Sequence, residues 1–164
     1  AMADAASAIT AATPKWEAEE KKRKLEERLE ALLQKSSTVP GAEARIERRG
    51  LVLTLRELFK TGKTDILPEK ELAVQVVGKL AAEYSEFRML VEGHTDNRGR
   101  AKRNLELSQK RAEAVAMKLT LHGVLAKRMT ALGHGDHEPI ADNSKRAGRA
   151  QNRRVEIVVI PTKS

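Results

Sequence analysis

The stretch Val91 to Arg111, VEGHTDNRGRAKRNLELSQKR, constrains the fold of this chain more than any other. Met89, Leu90 and Val91 supply the apolar run of a buried strand, and Gly93 lets the backbone turn where that strand stops. Thr95, Asp96 and Asn97 follow, short polar side chains of the kind that cap helix N-termini. The spacing therefore predicts a strand, a glycine turn and an acid delivered to the mouth of a long helix.

Projected at about 100° per residue, that helix carries an apolar stripe of Leu105, Ala112, Ala116 and Leu119. Lys102, Arg103, Glu106, Gln109, Lys110 and Glu113 fall on the far side. Asn104, Ser108 and Arg111, at i, i+4 and i+7, form a polar column along the border of the apolar stripe. A polar column that starts near an acid and ends in an arginine suits a small pocket for a ligand bearing both charges.

Gly93-His94-Thr95-Asp96, Gly99, Asn104, Leu107-Ser108 and Arg111-Ala112 resemble the signature of OmpA-like peptidoglycan-binding domains. The resemblance continues in order through Gly133-His134-Gly135-Asp136, Pro139, Asn143, Gly148-Arg149 and Asn152-Arg153-Arg154-Val155-Glu156, more than a hundred residues in all. It departs from the family pattern at Arg103 and at His134, where the family frequently carries an aromatic.

The remainder of the chain fits an α/β reading. Residues Ala1 to Pro14 are Ala/Ser/Thr-rich without period and are expected to be frayed or disordered. Trp16 to Lys35 is a charged helix with a narrow seam of Leu25, Leu29, Leu32 and Leu33. Lys22 and Ser36 flank that seam and deny it sustained heptads, which favours a terminal helix that docks on its own domain or on a neighbouring molecule over a spacer or short coiled coil, although weak self-association through it stays open. SSTVPG, 36–41, reads as a linker. The expected organisation is an extension over 1–41 and a folded domain over 42–164, which would fold without the first 37 residues.

Within the domain, alternation marks strands between Arg45 and Leu58, and FKTGKTDILP is a loop. Pro68 opens a helix to Tyr84 with Leu72, Val76 and Leu80 at helical spacing, and Phe87 to Glu92 is the next strand. Gly123 stops the long helix, Met129 to Leu132 is a short strand, Lys145 to Gln151 a short helix and Arg154 to Ile160 the last strand. Strand–helix–strand order implies parallel neighbours. The expected architecture is a compact two-layer α/β sandwich, helices on a small mixed sheet of OmpA-like βαβαβ type, with an N-terminal helical extension.

Composition removes several function classes. A net charge of +8 invites nucleic acid, but Lys and Arg are interleaved with Asp and Glu except over Lys145 to Arg154, and one Trp, one Tyr and two Phe give no base-stacking platform. Specific nucleic-acid binding is therefore not expected. Cysteine is absent, which removes disulfides and thiolate chemistry. His94, His134 and His137 with Asp96 and Asp136 lack the spacing of a metal or acid–base site, and no serine sits in a G-x-S-x-G setting. No apolar run reaches the roughly 20 residues of a membrane span, and no signal segment is evident.

The resemblance implies noncovalent recognition of the diaminopimelate in the peptidoglycan stem peptide, with no cofactor, no metal and no turnover. Asp96 would accept from the ligand ammonium and Arg111 would pair with a carboxylate, while backbone N–H groups from Asn97 to Gly99 take the remaining oxygens. Thr95, Asn104, Leu105 and Ser108 would line the groove. Phe59, Lys60 and Thr61 of the first loop are secondary contacts, and one C-terminal arginine, Arg154 by preference, would face the ligand. The implied role is to anchor the outer membrane, or a membrane protein such as a stator, to the wall from the periplasm. A membrane tether would lie upstream of residue 1, and the lead-in RGLVLTLREL favours a lipoprotein.

Overall fold

The computed structural model describes residues 14 to 161, so the fraying expected before Pro14 lies outside the described residues. In chain order the elements are α1 (Lys15–Lys35), β1 (Glu43–Glu47), β2 (Gly50–Arg56), α2 (Glu71–Glu83), β3 (Arg88–His94), α3 (Ala101–Leu121), β4 (Met129–Gly133), α4 (Arg146–Asn152) and β5 (Arg154–Ile160), with short 3-10 turns before α2 and β4 and after α1. The strands form one five-stranded sheet in the order β1-β2-β5-β3-β4. Pairing is antiparallel except between β3 and β4, which run parallel around the α3 crossover.

This is the two-layer mixed sandwich expected, with one difference in connectivity. The order strand–helix–strand suggested that β2 and β3 would be neighbours, but β5 lies between them and pairs with both. Its residues Arg154 to Ile160 are buried almost throughout, which makes a chain-terminal strand the centre of the sheet.

One face of the sheet meets the helices. Leu51, Leu53, Leu55, Met89, Val91, Val155, Ile157 and Val159 pack in one core cluster with Val74, Val77, Ala81, Ala112, Val115 and Leu119. The α2 face differs from expectation by a rotation: Ala73, Val74, Val77, Gly78 and Ala81 point inward, while Leu72 is 57% exposed. The strand signal in β2 and β5 is the period-2 alternation that sends one set of side chains to this core.

Helix α1 belongs to the same core. Leu29 and Leu32 are buried in the cluster, with Leu25 and Leu33 packed at its margin, so the leucine seam that would carry self-association faces the chain's own domain. Polar contacts hold it there: the Arg28 guanidinium lies 4.0 Å from the Tyr84 ring centre and 3.0 Å from Glu86, and Lys35 pairs with Glu83 at 3.3 Å. The core therefore does not begin at Ala42. A narrow seam fits here because the rest of the helix stays in water and needs only one contact line.

Candidate ligand-binding groove

The groove is built where α3 crosses the ends of β3 and β4. A Cβ on Gly93 would sit 2.3 Å from the Ser108 carbonyl oxygen, and one on Gly133 would sit 2.2 Å from the Gln109 nitrogen. Gly93 is therefore required for close approach of helix and strand, and β3 continues past it to His94 instead of turning. Polar side chains then lock the crossing: Ser108 Oγ accepts from the Gly135 N–H at 2.8 Å, and Gln109 Oε1 accepts from the Gly133 N–H at 2.7 Å.

The chain next makes a loop where a cap was expected. Helix α3 starts at Ala101 with Arg100 before it and no side-chain cap. Asp96 instead closes a local turn, its Oδ1 accepting from the Arg98 N–H at 2.9 Å. Asn104 Nδ2 donates to the Arg98 carbonyl at 2.9 Å and to that of Asp96 at 3.4 Å, so the polar column of α3 fixes the loop from beneath. Thr95 donates its N–H to Gly135 at 2.8 Å. The loop thus holds the Asp96 backbone and its Oδ1, and leaves Oδ2 to other partners.

Arg153, immediately before β5, reaches the free oxygen. Its Nη1 lies 2.9 Å from Asp96 Oδ2, and its Nη2 lies 2.7 Å from Glu57 Oε1. Burial works against the Arg153 charge, but hydrogen bonds to Glu57 and Asp96 outweigh it and raise the guanidinium above its ordinary value. Glu57 is the non-glycine residue at positive φ, 52°, among the described residues, a strained backbone at the wall of the groove.

Arg111 forms the opposite wall. It is 8% exposed, with Nε donating to the Lys63 carbonyl at 2.9 Å, Nη2 donating to that of Lys60 at 3.0 Å, and the guanidinium 5.0 Å from the Phe59 ring centre. Burial and the nearby Arg153 lower its pKa while Asp96 opposes them; a guanidinium stays charged at neutral pH regardless. Arg111 has no carboxylate partner among the described residues, and it retains N–H groups beyond those given to the loop. Phe59 in turn bridges to Ile66, which closes the loop over the arginine.

Together these walls enclose a groove of about 670 Å³. Asp96, Arg111, Asn104, Thr95, Gly99, Phe59, Lys60 and Thr61 all line it, as the sequence suggested. Asn97, Leu105, Ser108 and Arg154 do not. Leu105 is 41% exposed on the outer side of α3, and Ser108 is wholly buried in the helix–sheet crossing. Asn97 is exposed, and the Arg98 N–H is already taken by Asp96, so the stretch 97–99 is not an open set of helix donors.

Arg154 points to the other side of the sheet, bonded to Glu156, Asn152 and Glu138. The groove arginine is Arg153. Alternation along β5 already placed Arg153 with Val155 and Ile157, and those two face the helices, so the signal existed. Glu57, Arg98, Arg103 and Leu107 are further lining residues the sequence did not single out as contacts. Nothing in the local pattern marks Glu57, since its position depends on the backbone twist after β2.

A second charged cluster lies on the sheet face away from the helices. Arg49 reaches Glu92 at 2.6 Å and Glu156 at 3.3 Å, Arg154 and Arg45 reach Glu156 at 3.1 and 3.2 Å, and His134 Nε2 lies 2.9 Å from Glu92. His94 has neither ring nitrogen hydrogen-bonded and stacks on His134 with centroids 5.0 Å apart. Burial, then Arg154, pushes the His94 pKa down to about 3, so the ring is neutral at neutral pH. Glu92, His94 and His134 offer ligand atoms within 4.8 Å of one another. A cation there would have to displace Arg49 from Glu92 and face Arg154, so the cluster is better matched to a structural ion network.

Comparison with known proteins agrees with this geometry. The chain is 41% identical over 101 residues to outer membrane porin F of Pseudomonas fluorescens, covering 62% of this chain and 31% of that protein. It is 41% identical over 98 residues to the peptidoglycan-binding protein ArfA of Mycobacterium tuberculosis, covering 60% of this chain and 30% of that one. The chain thus spans about a third of the length of these relatives. Among solved structures, the cell wall anchor of the T6SS from Pseudomonas aeruginosa superposes with a TM-score of 0.69 at 33% identity, over 80% of this chain and 96% of that one. Residues 58–153, from the end of β2 through the groove loops and α3 to Arg153, match the OmpA family, and the chain belongs to that family.

Proposed function

We propose that the protein binds peptidoglycan noncovalently through the diaminopimelate of the stem peptide and thereby anchors an envelope component to the cell wall in the periplasm. The observation that carries this reading is the placement of Asp96 and Arg111 in one groove of an OmpA-family domain, with an acid oxygen on one wall and a fork of N–H donors on the other. The ligand ammonium displaces Arg153 from Asp96 Oδ2, and Arg111 takes a carboxylate of the same residue. A relative named as a peptidoglycan-binding protein and a structural neighbour described as a cell wall anchor support the ligand and the role.

Affinity at one site can be modest, because the wall repeats the ligand and a tethered protein meets it at high local concentration. The tether itself is proposed upstream of residue 1; no described helix is long and apolar enough to cross a membrane. Binding proceeds without turnover. Co-sedimentation with purified sacculi tests the reading: the protein is expected in the pellet, with no soluble wall fragments released, and Asp96→Ala is expected in the supernatant. Pelleting unaffected by Asp96→Ala and by Arg111→Ala would overturn it.

A further inference from the structure

The charge around the groove is unbalanced. Lys60, Arg98, Arg103, Arg111 and Arg153 line it against only Glu57 and Asp96, and both acids are already engaged by Arg153. Among the described residues Lys60, Arg98 and Arg103 have no ion-pair partner. Some cations elsewhere on the surface are paired, as Arg23 with Glu20, Arg28 with Glu86, Arg56 with Glu43 and Lys118 with Glu71, so what sets these three apart is that they line one groove together.

These three cations come from three different elements whose backbones are fixed. Lys60 stands on the loop that Arg111 holds through the Lys60 carbonyl. Arg98 has its N–H bonded to Asp96 and its carbonyl bonded to Asn104. Arg103 sits in the first turn of α3, and its Nη2 lies 3.7 Å from where a Gly62 Cβ would be, so it spans from the helix to the first loop. It also lines a hollow of about 510 Å³ on its other side with Gly99, Arg100, Lys102 and Glu106. A chain leaving the groove toward that hollow crosses Arg103.

We propose that Lys60, Arg98 and Arg103 form a second carboxylate subsite, which takes a carboxylate of the stem peptide other than the one held by Arg111. This rests on the proposed function. Unpaired cations that line one groove from separate elements leave positive charge that a ligand carboxylate can balance, pairing with a guanidinium in the fork geometry arginine favours. Two sources offer the same chemistry: the α-carboxylate of the D-glutamate that precedes diaminopimelate, and the C-terminal carboxylate of the D-alanine that follows it. In either case the protein discriminates between free-acid and amidated stems.

The test uses the tetrapeptide L-Ala-γ-D-Glu-diaminopimelate-D-Ala and two analogues, one amidated at the D-glutamate α-carboxyl and one at the C-terminus, titrated by calorimetry into the wild type, Arg103→Gln and Asp96→Asn. One amide is expected to bind the wild type roughly three- to tenfold more weakly than the free acid, the range of a partly exposed charge pair, and which amide does so identifies the source. Arg103→Gln is expected to bind acid and amide alike. Equal wild-type affinity for all three peptides overturns the subsite while leaving the reading of the groove intact, and so does discrimination that survives in Arg103→Gln. Absence of binding to any of the three, or full binding by Asp96→Asn, overturns the reading of the groove and the subsite with it.

Discussion

Two regions of this domain use the same side chains for opposite ends. On the outer sheet face, Glu92 and Glu156 are each met by arginines, and Glu156 is held by Arg45, Arg49 and Arg154. In the groove, among the described residues, Asp96 has one ion-pair partner, Arg153, which is 35% exposed and shared with Glu57, and Arg111 is bonded to carbonyls and to no acid. In the outer-face network the acids and Arg154 are buried and Glu156 is shared by three arginines, of which Arg45 and Arg49 are half exposed. The groove leaves an acid weakly engaged and a guanidinium fork unfilled, which is the condition for accepting a ligand of mixed charge.

The contrast can be broken in several ways. The largest effect is expected from the core that both regions share: removing residues 1–37 strips Leu29 and Leu32 from it, and with large core truncations costing about 2–5 kcal/mol each, thermal unfolding should shift far down. An unchanged midpoint would show that α1 is dispensable, as the sequence first suggested. Next, Glu156→Ala leaves Arg45, Arg49 and Arg154 facing one another without their shared carboxylate, and is expected to cost about 3–5 kcal/mol in urea unfolding. Its sacculus binding, measured on folded protein, should persist.

Groove variants are expected to do the reverse. Asp96→Ala and Arg111→Ala should each weaken muropeptide binding by roughly 2–4 kcal/mol while the domain still folds, although loss of Arg111 also frees the loop at Lys60 and Lys63. Arg111→Lys should recover only part, having the charge without the fork. Replacing diaminopimelate by lysine deletes a carboxylate and should hurt the wild type more than Arg111→Ala; equal losses in calorimetry would sink the pairing.

Protonation separates the regions further. His94 is held at about 3 when folded against an ordinary 6.5, so the unfolded chain binds the extra proton first. Its contribution is complete above pH 6.5 and is lost as pH falls from there toward 3, at a slope of up to about 1.4 kcal/mol per pH unit. His94→Phe should flatten that part of a stability–pH profile; an unchanged slope would place the acid sensitivity elsewhere. The smallest effect is expected from Arg153→Ala. Its pairs are partly exposed, so stability should change by less than about 1 kcal/mol, and the freed Asp96 should bind a simple ammonium ligand slightly better by NMR titration.

Much of the groove was legible because its residues carry chemistry in fixed order. Asp96, Asn104 and Arg111 lie within one strand–loop–helix unit, where helical spacing alone aligns the polar column. The misreadings share a cause. Gly93 looked like a turn, and is instead the place where a helix backbone touches a strand. Asp96 looked like a helix cap, and instead folds a loop that lets α3 start at Ala101. Arg153, not Arg154, reaches the groove: alternation puts Arg153 on the side of Val155 and Ile157, which pack against the helices, and the preference for Arg154 passed over that signal. Leu105 appeared on the apolar stripe, yet α3 is rolled so that Asn104 and Ser108 point inward and Leu105 outward.

Local periodicity and motif order determined the element types, the mixed α/β class and the placement of Asp96 and Arg111 on one strand–loop–helix unit, because those depend on contacts within a few turns of chain. Tertiary structure decided the rest. It put β5 between β2 and β3, brought Arg153 across 57 residues to Asp96, set Glu57 at positive φ beside it, and drew the leucines of α1 into a core that the sequence had begun at Ala42. These outcomes follow from which surfaces bury together and which charges then meet in the same space, and that is a property of the packed chain as a whole.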